Sequence, residues 1–383
     1  MEADRKAPRK QRHTARLIWE RIQAELPDCQ ICPRTVRQYV HDRKQALGLL
    51  ERTTCVPQSY EWGGEAQVDW YESYADLAGE RLKLQVFAMR SMASGAAFHR
   101  AYLHATQQAF LEAHELAFAY FGGVFQKLRY DNLVWAVKKV LRGHRREETT
   151  RLLALRSHWR FTAEFCTPAE PHEKGGVEGE VGYFRRNHWV PVPRVSDLAT
   201  LNEQLLAACQ QDERRCIAGR EQSVGAGLLL ERSHLLPLVT EGMDLTQSSF
   251  PTVNIFGCAL VLTNAYSVPL PAGTQVQAKI HAGTVELWHN GELVAKHERC
   301  YRRKQQVLDL EHYLDVLSRK PGAFAGSTPL APCRQAGLWS PSFDQLWQSL
   351  TERHGKANGT KQMIDLLKQS RQYGPAKLRE ASN

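Results

Sequence analysis

A chain of 383 residues is too long for one ordinary hydrophobic core, and two to four domains are expected. Its hydrophobic content of 43% and nine Trp suit a folded protein, while no apolar run approaches the ~20 residues of a membrane span, which argues against a membrane partner. A formal charge of +9 favours a polyanion such as nucleic acid, and nine scattered cysteines without a secretory leader pattern point to a reducing cytoplasm.

Residues 1–55 read as a helix-turn-helix DNA-binding segment. After a Lys/Arg-rich start, Thr14 can cap a helix carrying Leu17, Ile18, Ile22 and Leu26, which Pro27 ends. A second helix should begin after Pro33 and carry Val36, Tyr39, Val40 and Leu47. Through residue 50 there are 11 Lys/Arg against 6 Asp/Glu, and Arg34, Arg37, Arg43 and Lys44 can point outward to DNA. A helical pair with a solvated basic face is the competing reading. Cys29 and Cys32 form a lone C-x-x-C without a second pair and are read as ordinary thiols.

Residues 56–215 alternate in type and predict a mixed sheet with flanking helices. Strands are expected at 65–70, 82–89 and 97–103. Thr106 then caps a helix with Phe110, Ala113, Leu116, Ala117 and Tyr120, stopped by Gly122-Gly123. A short strand follows and delivers Asp131. Residues 216–250 read as a linker. At 251–306 the period falls to two, with Asn290-Gly291 as a tight hairpin turn, and a small β-barrel is expected, leaving through the basic residues Arg299, Arg302, Arg303 and Lys304. Residues 307–383 are expected to be mainly helical.

Three acidic residues stand in distinctive contexts. Asp69 ends the strand-like run Ala66-Gln67-Val68-Asp69-Trp70, Asp131 precedes Asn132, and Glu178 follows Lys174-Gly175-Gly176-Val177 where a helix begins. Two Asp on strands and one Glu on a helix can hold a pair of hard divalent cations, and two such ions about 3.5–4 Å apart activate the nucleophile and steady the leaving group of a phosphodiester. Taken singly, Asp131-Asn132 is equally a strand-ending turn and Glu178 a solvated residue in a glycine-rich loop. Glu180, the rival ligand, falls about 200° around the helix from Glu178. Gly175, Gly176, Gly179 and Gly182 each weaken that helix by about 1 kcal/mol, as expected where backbone must come close to metal or DNA. A basic stretch including Lys138, Lys139, Arg142, Arg145, Arg146, Arg151, Arg156 and Arg160, with Lys174 and Arg185, could line a DNA groove; a solvated helix face is the alternative.

Taken together, Gln67-Val68-Asp69-Trp70, Phe121-Gly122-Gly123-Val124 with Tyr130-Asp131-Asn132-Leu133, and Lys174-Gly175-Gly176-Val177-Glu178 resemble the successive signatures of the IstA-type transposases. These are DDE recombinases of bacterial insertion sequences, related to phage Mu transposase and retroviral integrases. Glu231-Arg232, Leu235-Leu236-Pro237-Leu238 and Tyr266-Ser267-Val268-Pro269 extend the resemblance over nearly the whole chain. It implies an RNase H-like catalytic domain with Asp69, Asp131 and Glu178 as catalytic metal ligands for two Mg²⁺, with Mn²⁺ as a substitute. It also implies cleavage at transposon ends, attack of the freed 3′-hydroxyls on target DNA, an IstB-type AAA+ ATPase helper and a homo-oligomer on paired double-stranded ends. The chain starts at what resembles the middle of the family pattern, its C-terminus is short for that pattern, and Tyr71 stands where the family often has Gly. A catalytically silent or truncated remnant that only binds DNA is therefore the alternative. A glycosidase with paired carboxylates is a further one.

Overall fold

The computed structural model describes residues 14–47, 58–130, 137–140, 146–166, 175–335 and 337–373, with backbone alone at 137–140, 146–148, 175 and 370–373. It divides into two units, residues 1–59 and 60–383.

In the first unit, α1 (Ala15–Glu25) begins at Thr14, whose hydroxyl accepts the Leu17 N–H, and α2 (Pro33–Ala46) has Pro in its first turn. Val36 and Val40, one turn apart on α2, are buried. The turn between the helices is tied by Trp19 Nε1 donating to Ile31 O at 3.1 Å and Gln23 Nε2 donating to Cys29 O at 3.0 Å.

The second unit is mixed α/β around a mixed sheet. A long antiparallel hairpin, β1 (Glu65–Leu77) and β2 (Glu80–Ser91), is extended by β3 (Ala97–Tyr102). β1 runs seven residues past the expected end at Trp70, because the turn at Ala78 (φ 48°) and Gly79 (φ 88°) lets the ladder continue from Leu77 to Glu80. After α3 (Gln107–Phe121), β4 (Lys127–Tyr130) pairs parallel to β1. The small hairpin β5 (Val137–Val140) and β6 (Arg146–Glu148), α4 (Thr150–Trp159) and β7 (Thr162–Phe165) follow, β7 lying parallel to β4. The strand order is therefore β3-β2-β1-β4-β7. α5 (Gly175–His188), β8 (Arg194–Val195), which pairs with the end of β1, and α6 (Leu198–Asp212) complete this part.

Alternation along β1 feeds two cores. Ala66 and Val68 pack with Phe110, Phe118 and Trp159 under α3 and α4. Tyr71, Ala75 and Leu77 pack with Val177, Val181, Phe184 and Leu205 under α5 and α6. Each such large apolar side chain contributes roughly 1.5–3 kcal/mol on burial.

The stretch expected to be a linker, 216–250, is folded onto this core in large part. α7 (Val224–Arg232) buries Val224 and Leu228 in the α3 core, and Leu236 exchanges backbone hydrogen bonds with Val124 at 2.8 and 2.9 Å. Apolar spacing and an N-capping Ser223 are what a helix requires here. Beyond it, β9 (Gln247–Ser249), β12 (Gln277–Ile280), β13 (Thr284–His289) and β14 (Glu292–Glu298) form one sheet, and β10 (Cys258–Val261), β11 (Asn264–Ser267) and β15 (Gln306–Val307) a second. They share a core of Val261, Tyr266, Ile280, Val285 and Leu287. α8 (Leu314–Arg319), α9 (Leu330–Gln335) and α10 (Pro341–Tyr373, broken at Gly355) close on Phe324, Trp339, Phe343 and Ile364. Among the described residues no helix is long and apolar enough to cross a membrane.

Candidate active site

Asp69 is half-buried on β1 and, by the strand's alternation, lies on the face covered by α5, between Gln67 and Tyr71. Gln67 makes the junction: its Oε1 accepts the Val177 N–H at 3.1 Å. Glu178 is the next residue of α5 and is exposed. The strand and the helix that carry Asp69 and Glu178 are thus joined by a hydrogen bond one residue from Glu178 and two residues from Asp69. Asp131 lies outside the described residues. Tyr130, which precedes it, is in parallel register with Val68, the neighbour of Asp69.

The end of β4 is held from the α3 side. His114 Nδ1–H donates to Phe110 O at 2.6 Å, which leaves Nε2 to accept the Tyr130 hydroxyl at 2.9 Å. Burial pushes His114 down to about 4. On the α5 side, the Tyr71 hydroxyl accepts from Trp189 Nε1 at 3.1 Å and lies 3.2 Å from His99 Nδ1, and burial pushes His99 down to about 3. Both rings have folded values below the ordinary 6.5, so as pH falls through 6.5 the unfolded chain takes up protons first. Stability is fully present above 6.5 and declines toward pH 4 for His114 and pH 3 for His99, by about 1.4 kcal/mol per pH unit for each ring. The thermal midpoint of a His99→Gln/His114→Gln variant should fall less steeply than the parent's between pH 6.5 and 5; equal slopes would mean that other groups control the acid limb.

A buried charge cluster that no local sequence signal announces lies beside Gln67. Glu180, on the inward side of α5, has a side chain only 3% exposed and meets Arg90 of β2 and Arg215 after α6. Burial lowers the Arg90 pKa, against the opposing pull of Glu180. Glu180 is therefore committed to an internal ion cluster, on the opposite side of the helix from Glu178. Farther along the same sheet face, Arg129 joins Glu65 at 2.8 Å and Glu164 at 3.1 Å, and Lys127 joins Glu164 at 3.1 Å, tying β1, β4 and β7 together. The Glu65 hydrogen bond raises the Arg129 pKa.

Several cations expected to face DNA are turned to the protein. Arg151 donates to Asp244 O and Thr246 O, and Arg160 to Pro237 O, fastening α4 to the segment after α7. Arg185 donates to Glu72 O at 3.1 Å and lies 5.0 Å over the Tyr71 ring. These backbone carbonyls need donors, and long Arg side chains reach them. Lys174 lies outside the described residues, as do the side chains of Lys138 and Lys139 in β5. In the first unit Arg34 and Arg37, with Gln38 and His41, line a shallow recess of about 470 Å³ on α2; Arg43 is exposed and Lys44 half-buried. Of the glycines expected to allow close approach, Gly176 does so: a Cβ there would lie 2.7 Å from Met92 Sδ. Gly179 faces open space.

Among the described residues no three His, Cys, Asp or Glu side chains gather as a metal site. Asp69 and Glu178, on a rigid strand and on the helix docked to it, offer the hard oxygen donors that suit Mg²⁺ or Mn²⁺ rather than a thiophilic metal.

Residues 250–309 match the family described as Mu transposase, C-terminal domain. Over most of its length the chain is similar to curated transposases. A transposase of Aminobacter aminovorans is 33% identical over 342 residues, which are 86% of this chain and 65% of that protein. The transposase for insertion sequences IS1326/IS1353 of Pseudomonas aeruginosa is 31% identical over 82% of this chain and 61% of its own. The transposase for insertion sequence element IS21 of the same species is 29% identical over 62% of this chain and 61% of its own. The chain thus spans a little under two thirds of the length of these relatives. Among solved structures, the HTLV-2 integrase catalytic core domain in complex with magnesium aligns over 45% of this chain and 99% of its own, at 12% identity and a TM-score of 0.32.

Proposed function

We propose that this chain is a DNA transposase of a bacterial insertion sequence, with an RNase H-like DDE core in which Asp69, Asp131 and Glu178 hold two Mg²⁺ or, as a substitute, Mn²⁺. The observation that carries the reading is the junction of β1 with α5, which sets Asp69 and Glu178 on adjoining elements through the Gln67–Val177 hydrogen bond. The strand order β3-β2-β1-β4-β7, with the first three antiparallel and the last two parallel to β1, is what an RNase H-like sheet requires. Similarity to transposases over more than four fifths of the chain, one of them named for insertion sequences IS1326/IS1353, supports the same class.

In this reading the bound cations supply a Lewis acid for the attacking and leaving oxygens. The chain's own part is geometric. β1, clamped between β2 and β4, keeps the Asp69 carboxylate fixed, and α5 brings Glu178 to it. Water would cleave a phosphodiester at each transposon end to leave a 3′-hydroxyl, and that hydroxyl would attack a target phosphodiester, joining to the target's 5′-phosphate and releasing the target's 3′-oxygen as a hydroxyl. An oligomer on paired ends and an IstB-type ATPase helper are proposed from the likeness to IS21-type transposases. The purified chain, incubated with duplex oligonucleotides of the element's ends and Mg²⁺, should yield nicked and joined products resolved on denaturing gels. Products that persist in EDTA would overturn the metal assignment.

The helix-turn-helix reading of α1 and α2 has its own test. Duplex binding should weaken steeply with salt, and replacing Arg34 and Arg37 with Ala should reduce the slope of log K against log salt by about 2, at roughly 0.9 per lost phosphate contact. An unchanged slope would remove these residues from the DNA interface.

A further inference from the structure

Resting on the metal-site reading, we propose that Glu180, through Arg90 and Arg215, is a positioning residue that sets how Glu178 is presented to Asp69. α5 is gripped on both sides of Glu178. One residue before it, the Val177 N–H donates to Gln67 Oε1 at 3.1 Å. Two residues after it, the Glu180 carboxylate lies 3.5 Å from Arg90 Nε and also accepts from Arg215 Nη2. Arg90 stands on β2 in register with Gln67 on β1, so both grips fall at one level of the sheet. Gly176 admits this close seat, since a Cβ there would come within 3.0 Å of Arg90 Nη1.

Arg215 arrives from outside the sheet, in the turn after α6, with its guanidinium carbon 3.9 Å from the centre of the Tyr183 ring. α5 is therefore held between the strands and that turn. Glu178 lies about 100° around the helix from the buried Val177 and about 200° from Glu180, so seating Glu180 against two guanidinium groups holds Glu178 on the flank of α5 rather than on the face packed against the sheet. Buried ion clusters add little net stability because desolvation offsets their attraction. What the cluster supplies is direction: a charged side chain with two fixed partners accepts one helix rotation, whereas an apolar seam of Val177, Val181 and Phe184 permits small slips.

The test is Mn²⁺ binding by the full-length chain, read from the electron paramagnetic resonance signal of the free ion, with thermal midpoints measured alongside. Glu180→Gln should weaken Mn²⁺ binding about tenfold, and Arg215→Lys, which keeps the charge but shortens the reach, about threefold. Glu231→Gln, a buried carboxylate whose hydrogen-bond partners are Ser91, Ser94 and Gly63 rather than residues of α5, serves as the control for general loosening and should bind Mn²⁺ within twofold of the parent. If Glu180→Gln does not fold, Arg215→Lys carries the test. Asp69→Asn separates the two ideas. If it loses Mn²⁺ while Glu180→Gln and Arg215→Lys bind normally, the positioning role falls and the metal site stands. If Glu231→Gln loses as much as Glu180→Gln, the effect is loosening and the positioning role falls too. If Asp69→Asn binds Mn²⁺ like the parent, the metal site falls and this proposal with it.

Discussion

Asp69→Asn should lower strand joining by about three orders of magnitude or more, equivalent to a barrier raised by ~4 kcal/mol, with the fold intact. The substitution is nearly isosteric, so β1 keeps its pairing with β2 and β4. What changes is the loss of an anionic oxygen donor at the centre of the sheet. Glu178→Gln should act in the same direction. Because Glu178 is exposed, its variant should also leave the unfolding free energy within about 0.5 kcal/mol of the parent's. Joining and nicking assays on end duplexes, with circular dichroism as the fold control, decide the matter. Activity within tenfold of the parent in Asp69→Asn would remove this residue from the site.

The second large effect concerns stability. Glu231 on α7 is fully buried, and its carboxylate is surrounded by donors: Ser91 Oγ at 2.8 and 2.7 Å, Ser94 Oγ at 2.5 Å and the Gly63 N–H at 3.3 Å. Glu231→Ala would leave two hydroxyls and an amide buried without their acceptor, at about 1–3 kcal/mol each, and a total loss of about 3–5 kcal/mol is expected. Urea unfolding measures it. A loss below about 1 kcal/mol would show that water or a rearranged Ser91 replaces the carboxylate. The neighbourhood is built for this contact. A Cβ at Gly63 would lie 2.5 Å from His234 O, and one at Gly123 would lie 2.6 Å from Leu235 Cβ, so both glycines make room for the segment after α7. Arg232 Nε then donates to Phe121 O at 3.2 Å, the last residue of α3.

What could be read in advance was what depends on near neighbours. Thr14 and Thr106 accept N–H groups at their helix starts, Gly122 ends α3 with a φ of 80°, and Asn290-Gly291 turns β13 into β14 with φ of 49° and 84°. Asp69 and Glu178 stood out as candidates because each sits in a short distinctive run. The β1–β2 hairpin was only half visible, since its turn puts Ala78 at φ 48°, where Ala carries no turn signal and is seldom found. Glu180, Arg90 and Arg215 come from three separate elements, and nothing along the chain marks them as partners. Likewise, Arg151 and Arg160 look like groove cations until their carbonyl partners, more than 70 residues away, are seen. The reason for Gly63 and Gly123 is equally remote: each is explained only by atoms that lie on the far side of α7.

That distance has a consequence during synthesis. Gly63 leads into β1, yet the carboxylate that receives its N–H is 168 positions farther along. At ~5–20 residues per second a ribosome needs roughly 10–30 s to cover that interval. For most of it, Ser91, Ser94 and the entry to β1 have been synthesised without the acid that closes over them. The nascent domain can assemble its sheet early, but it reaches its final form only after translation has passed well beyond the last strand of that sheet.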